Sequence, residues 1–268
     1  TVDASTGVVT GDAAGTATIT YTVTTNSCES SAQTTVNVNA LPTLAAIAGT
    51  TNACIGSSTI LTNTTAGGVW TSDDATVATV NTITGAVTGV SAGTATITYT
   101  YTNSNGCTSD VSTSVTINAL PTVAAITGTT TLCVGATETL ANATTGGTWS
   151  SSNTAVATVS STGVVTGVAA GSATITYSVT DANGCTNAVT ATVNVNAGTT
   201  ATITAGGATT FCAGGSVTLT ASPGASYSWS TGDLTQSITV SASGSYYVNV
   251  TNASGCTATS ASTQVIVN

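Results

Sequence analysis

The side chains of this protein that could do chemistry are seven cysteines, nine carboxylates and a large excess of Ser and Thr hydroxyls; Lys, Arg and His are absent altogether. That set offers disulfide formation, cation ligation through oxygen, and two-carboxylate acid–base chemistry. It lacks a His or Lys general base, an arginine clamp for phosphate or carboxylate, and an imidazole ligand. A Ser or Thr nucleophile would have nothing to activate it. Lys–Asn isopeptide cross-links are impossible. With a net charge of −9 and no cation, neither a phosphate backbone nor an anionic lipid surface finds a counter-charge. Nucleic acid is excluded as a partner.

The cysteines carry the strongest signal. There is no CxxC spacing and no His to complete a zinc set, and no cation stabilises a thiolate. Structural disulfides in an oxidising compartment are the expectation. The carboxylates are spread thinly. Asp73 and Asp74 in the loop after Ser72 are candidates for holding Ca²⁺, but the matching loop later in the chain reads Ser152-Asn153. A solvated turn is the better reading, because the carboxylates are not a repeated device. No cofactor, metal centre or catalytic residue is predicted, and no enzyme.

The elements that position these residues come from a repeat. Gly67-Gly68-Val69-Trp70 returns as Gly146-Gly147-Thr148-Trp149, and Gly93-Thr94-Ala95-Thr96-Ile97-Thr98-Tyr99 returns as Gly171-Ser172-Ala173-Thr174-Ile175-Thr176-Tyr177. Both Trp70 to Trp149 and Cys54 to Cys133 span 79 residues. The units are 41–119, 120–197 and a shorter, divergent terminal unit, 198–268, with Trp229. Residues 1–40 match only the second half of a unit. About a quarter of the residues are Thr, and β-branched Thr and Val favour pleated strands. Ala173–Val179 alternates small or apolar with polar residues, Asn183-Gly184 marks a hairpin turn, and Ala191–Val195 returns. Each full repeat predicts about seven short strands in two sheets. Trp70, Trp149 and Trp229 are read as core plugs rather than sugar platforms. The chain is 41% hydrophobic but only 4% aromatic, so the cores are small and aliphatic. No apolar run is long enough to span a bilayer. The opening Thr1-Val2-Asp3-Ala4 is no signal peptide, which suggests a removed leader or a fragment.

The run Ala155-Val156-Ala157-Thr158-Val159 … Gly163-Val164-Val165-Thr166-Gly167 … Gly171-Ser172-Ala173-Thr174-Ile175-Thr176 resembles the group 2 bacterial Ig-like domain of cell-surface proteins. The Asn183-Gly184-Cys185 ending is similar to Cys-bearing repeats in secreted and surface proteins of gliding Bacteroidota. The resemblance implies an all-β fold: tandem Ig-like β-sandwiches in an elongated array with an N-terminal half-repeat. It also implies self-contained modules, hence pairing within a repeat: Cys54–Cys107, Cys133–Cys185 and Cys212–Cys256, with Cys28 unpaired or intermolecular. The rival pairing crosses the junctions, Cys54–Cys185 and Cys133–Cys256. It answers a geometric objection, since the two cysteines of one repeat fall at opposite ends of a sandwich, while a disulfide needs Cα atoms about 5.5 Å apart.

Two functions fit this reading. One is a non-catalytic extracellular structural protein, a segment of a surface fibre or adhesin stalk. Its partners would be other copies of itself, head-to-tail or lateral, with the half-repeat completed by another chain or by upstream sequence. The other is a surface adhesin recognising glycan or protein, for which Asp73-Asp74 and Tyr246-Tyr247 are the candidate contacts. Asn63, Asn142, Asn249 and Asn252 lie in Asn-x-Ser/Thr sequons, relevant if the source glycosylates them.

Overall fold

The computed structural model covers residues 1–268 and contains only strands, turns and loops. Residues Thr1–Leu120 form one compact unit and Pro121–Asn268 a second.

In the first unit, strands Gly15–Thr25 and Cys28–Val38 pair antiparallel as an isolated two-stranded ribbon. They turn through Asn26 and Ser27, both at positive φ, 53° and 67°. A two-residue hairpin needs that left-handed conformation, whose twist matches the strands. A sandwich follows. One sheet runs in the order Asn52–Cys54, Thr108–Asn118, Gly93–Thr102, Val69–Ser72, and the other Ala48–Gly49, Ser58–Thr62, Ala86–Gly89, Ala78–Val80. That is eight strands rather than seven, the extra one being the two-residue Ala48–Gly49.

The long hairpin, Gly93–Thr102 against Thr108–Asn118, shows why this sequence is a strand. Ala95, Ile97 and Tyr99 point inward and are buried, and the Thr residues between them point out. Opposite them, Val115 and Ile117 complete the inner face. Leu61, Trp70, Ala78 and Val87 close the core from the other elements.

The second unit repeats the plan. Thr131–Cys133, Thr186–Asn196, Gly171–Thr180 and Thr148–Ser151 make one sheet, and Thr137–Thr139, Val164–Gly167 and Ala157–Val159 the other. Leu132, Leu140, Val165, Ile175, Val193 and Val195 form its core. The terminal segment builds three smaller sheets around Leu219, Trp229, Val248 and Val250.

One feature was not legible in the alternation. The short strand bearing the first cysteine of each full repeat runs parallel, not antiparallel, to the last strand: Cys54 is in register with Asn118 and Cys133 with Asn196. The terminal segment does the same with Thr210–Phe211 against Ile266 and Val267. This parallel step places the first cysteine beside the exit of its own repeat.

Candidate functional site

Each repeat positions its Trp through a Tyr. The Tyr99 hydroxyl accepts a hydrogen bond from the Gly68 amide at 2.8 Å and donates to the Thr65 carbonyl. Tyr177 accepts from Gly147 N at 2.9 Å and donates to Thr144 O at 2.7 Å. The rings of Trp70 and Tyr99 lie 4.6 Å apart, and those of Trp149 and Tyr177 4.7 Å, both tilted. Trp70 is buried; Trp149 is half-buried at the rim of its core. Trp229 is buried, and its indole donates to Thr235 O at 2.8 Å. All three lie against the cores of their own domains.

The carboxylates raised as ligands are engaged locally. Asp73 Oδ1 accepts from Thr96 N at 2.7 Å. Asp74 Oδ1 accepts from the Thr76 amide and hydroxyl at 2.9 and 2.6 Å. The Thr76 hydroxyl, then the Thr76 amide, hold the Asp74 carboxyl below its ordinary 3.8. In the next repeat Ser152 Oγ accepts from Thr174 N and Asn153 Oδ1 from Ala155 N. The loop is thus a repeated hydrogen-bond pattern in which Ser and Asn do the work of Asp. Tyr246 is buried and donates to Ala242 O at 2.9 Å, while Tyr247 is exposed.

Chemistry concentrates at the cysteines. In the second unit Cys133 and Cys256 form a disulfide with Cα atoms 5.8 Å apart across 123 residues of sequence. It joins repeat 120–197 to the terminal segment. Cys256 leaves a tight loop in which Asn252 Oδ1 accepts from Ser254 N and Cys256 N, both at 3.0 Å. Gly255 supplies the positive φ, 82°, that closes the loop. The same Asn252 reaches across, donating from Nδ2 to Ala197 O at 2.9 Å, and Asn196 Nδ2 donates back to Ser254 O at 3.3 Å. A hairpin tip of one domain is therefore clamped on the exit of the domain before it, by one covalent bond and two amide hydrogen bonds.

This corrects the within-repeat pairing. Cys133 is bonded to Cys256, so Cys133–Cys185 and Cys212–Cys256 do not form, and Cys107 is free, so neither does Cys54–Cys107. The reason is distance. Cys133 is in register with Asn196, whereas Cys185 precedes Thr186 at the opposite end of the same strand. At about 3.3 Å per residue those ends are roughly 30 Å apart. Cys28 and Cys212 are free and exposed, and Cys107 is free and half-buried. Cys54 and Cys185 are not free thiols.

No curated protein matches the chain in sequence. Among solved structures, it is similar to a Ca²⁺-stabilised adhesin with which an Antarctic bacterium binds ice, at 13% identity and TM-score 0.30, over 94% of this chain and 82% of that one. It is also similar to domains 1–6 of the surface layer protein SbsC, at 18% identity and TM-score 0.27, over 97% of this chain and 45% of that one. A four-domain ectodomain fragment of ICAM-5 aligns at 10% identity and TM-score 0.40, over 94% of this chain and 83% of that one. The bacterial Ig-like domain (group 2) model matches twice in tandem, at residues 30–112 and 111–193. These windows start about ten residues before the repeat boundaries drawn from the Trp and Cys spacing. Together they span more than half of the sequence, and the chain belongs to the bacterial Ig-like domain (group 2) family.

Proposed function

We propose that this chain is a non-catalytic structural segment of an extracellular surface fibre or stalk. The observation that carries the reading is the Cys133–Cys256 clamp between successive sandwiches. A disulfide of this kind persists outside the reducing cytosol. It also joins two domains rather than stabilising one, which is what a string of modules needs if it is to hold a defined length. The composition supports the same reading, since a chain without Lys or Arg offers no site to trypsin-like proteases. Its hydroxyl-rich surface suits close packing between chains.

Assembly proceeds by completion of the hairpin at residues 1–40 by another stretch of polypeptide. Gly15–Tyr21 has nearly the same sequence as Gly93–Tyr99 and Gly171–Tyr177, yet Tyr21 is 72% exposed where Tyr99 is 4%. An apolar face with an unpaired edge is a template for added strands. Electron microscopy of native material tests the reading: filaments of uniform width are expected, and monodisperse particles the length of one chain would overturn it.

A further inference from the structure

Cys107 sits against the Gly15–Val38 hairpin much as Cys256 sits against the repeat before it. Asn103 Nδ2 donates to Ala40 O at 3.3 Å, the counterpart of Asn252 to Ala197 O at 2.9 Å. Asn103 Oδ1 accepts from Asn105 N and Cys107 N, both at 3.0 Å, as Asn252 Oδ1 does from Ser254 and Cys256. The Cys107 thiol lies 3.9 Å from Asn39 O, and Asn39 is the repeat equivalent of Asn196. In the second unit the residue in register with Asn196 is Cys133, the partner of Cys256. Beside Asn39 that strand is missing, because Cys28–Val38 pairs only with Gly15–Thr25.

The missing strand leaves more than an edge. Val2, Val9, Ala17, Ile19, Val36 and Val38 line an open groove. Their equivalents in the full repeats, among them Ile97, Val115, Ile117 and Val87, are buried under Leu61 and Trp70. The groove therefore has the shape and polarity of a sandwich lacking its first half.

We propose that Cys107 is one half of an inter-domain disulfide whose other half is carried by a docked β-strand. That strand belongs to the opening half of another Ig-like repeat, and it pairs parallel with Asn37–Asn39. Its apolar residue faces Val38 and its cysteine faces Asn39, following the register of Leu132 with Val195 and Cys133 with Asn196. Its Leu and Trp fill the groove, and its Gly-Gly-x-Trp turn caps Tyr21. The bond forms by exchange with a small-molecule disulfide. The two protein thiols lose two electrons and two protons, which the reagent takes up as it leaves as two thiols. This deepens the assembly reading above and rests on it.

The test uses the full chain and a synthetic peptide of residues 122–151, whose one cysteine, Cys133, is activated as a mixed disulfide with thionitrobenzoate. Docking makes the exchange effectively intramolecular, so at micromolar peptide Cys107 should react at least about tenfold faster than with a scrambled peptide. It should also outrun Cys28 and Cys212, as read by release of the chromophore and mass mapping. Hydrogen exchange at Val36–Val38 should slow, and in Cys107→Ser the slowing should remain while the fast reaction disappears. Equal rates for both peptides, or equal labelling of the three thiols, would overturn the proposal. If the strand amides are protected while Cys107 does not react, the disulfide fails but hairpin completion survives. If neither is seen, both fail.

Discussion

Tyr99 and Gly68 stand so close that the glycine has no room for a side chain: a Cβ on Gly68 would lie 2.3 Å from the Tyr99 ring. The Gly68 amide meanwhile donates to the Tyr99 hydroxyl at 2.8 Å. Gly147 and Tyr177 repeat the relationship at 2.4 Å and 2.9 Å. The doubled glycine before each Trp is thus a packing requirement set by a tyrosine some thirty residues downstream. Gly68→Ala should destabilise its sandwich by about 1–3 kcal/mol, the usual cost of overpacking. Denaturant unfolding followed by Trp fluorescence checks this, with Gly67→Ala a weaker comparison on space alone, because nothing but the Tyr101 ring edge at 3.9 Å lies near it.

The tyrosine hydroxyl should matter by itself. Tyr177→Phe leaves the ring beside Trp149 but strands the Thr144 carbonyl and the Gly147 amide. An unmade bond to a part-buried group costs about 1–3 kcal/mol. The unfolding midpoint of the second unit should fall accordingly, with the Trp149 emission of the folded state little changed.

The clamp predicts a clear result in solution. Non-reducing peptide mapping should yield a Cys133–Cys256 peptide and no Cys133–Cys185 peptide. The double variant Cys133→Ser/Cys256→Ser should lower the stability of the second unit by up to about 5 kcal/mol, from the chain entropy of a loop this long. Calorimetry would read the loss, and an unchanged melting profile would show that the bond contributes nothing.

Acid should act through the Asp74 turn. Its carboxyl is held below 3.8 by hydrogen bonds to the Thr76 hydroxyl and amide. A depressed folded value means the contribution is complete above the unfolded value and fades as the pH falls past it through the folded one. Melting of wild type should therefore drop as pH is lowered below about 4, and Asp74→Asn should remove part of that dependence. Asn153 already occupies the matching place in the next repeat and makes the same kind of turn. Asp3, lowered to about 2 by the Ser5 hydroxyl and the Thr6 amide, should add a component that persists to lower pH.

Much of the architecture could be read directly. The alternation in Ala173–Val179 places Ile175 and Tyr177 inside, and the 79-residue spacing aligns both full repeats. The parallel strand at Thr131–Cys133 could not be read, because three residues carry no period and nothing local states strand direction. The disulfide followed from it: once Cys133 lies beside Asn196, the nearest cysteine belongs to the next domain. The assumption that modules are self-contained pointed the other way. Asp73 and Asp74 looked like ligands because the equivalence of Asp with Asn and Ser as turn acceptors is visible only in the hydrogen bonds.

The Cys133–Cys256 bond also reroutes tension. Pulled from its two ends, the second unit can lengthen only in the short stretches before Cys133 and after Cys256. The 123 residues between them are bypassed by a single covalent link. At about 3.5 Å per extended residue, roughly 400 Å of slack is locked away, released only when the link is reduced. Under oxidising conditions the unit behaves as a nearly inextensible tether, and under reducing ones as a spring with a long travel.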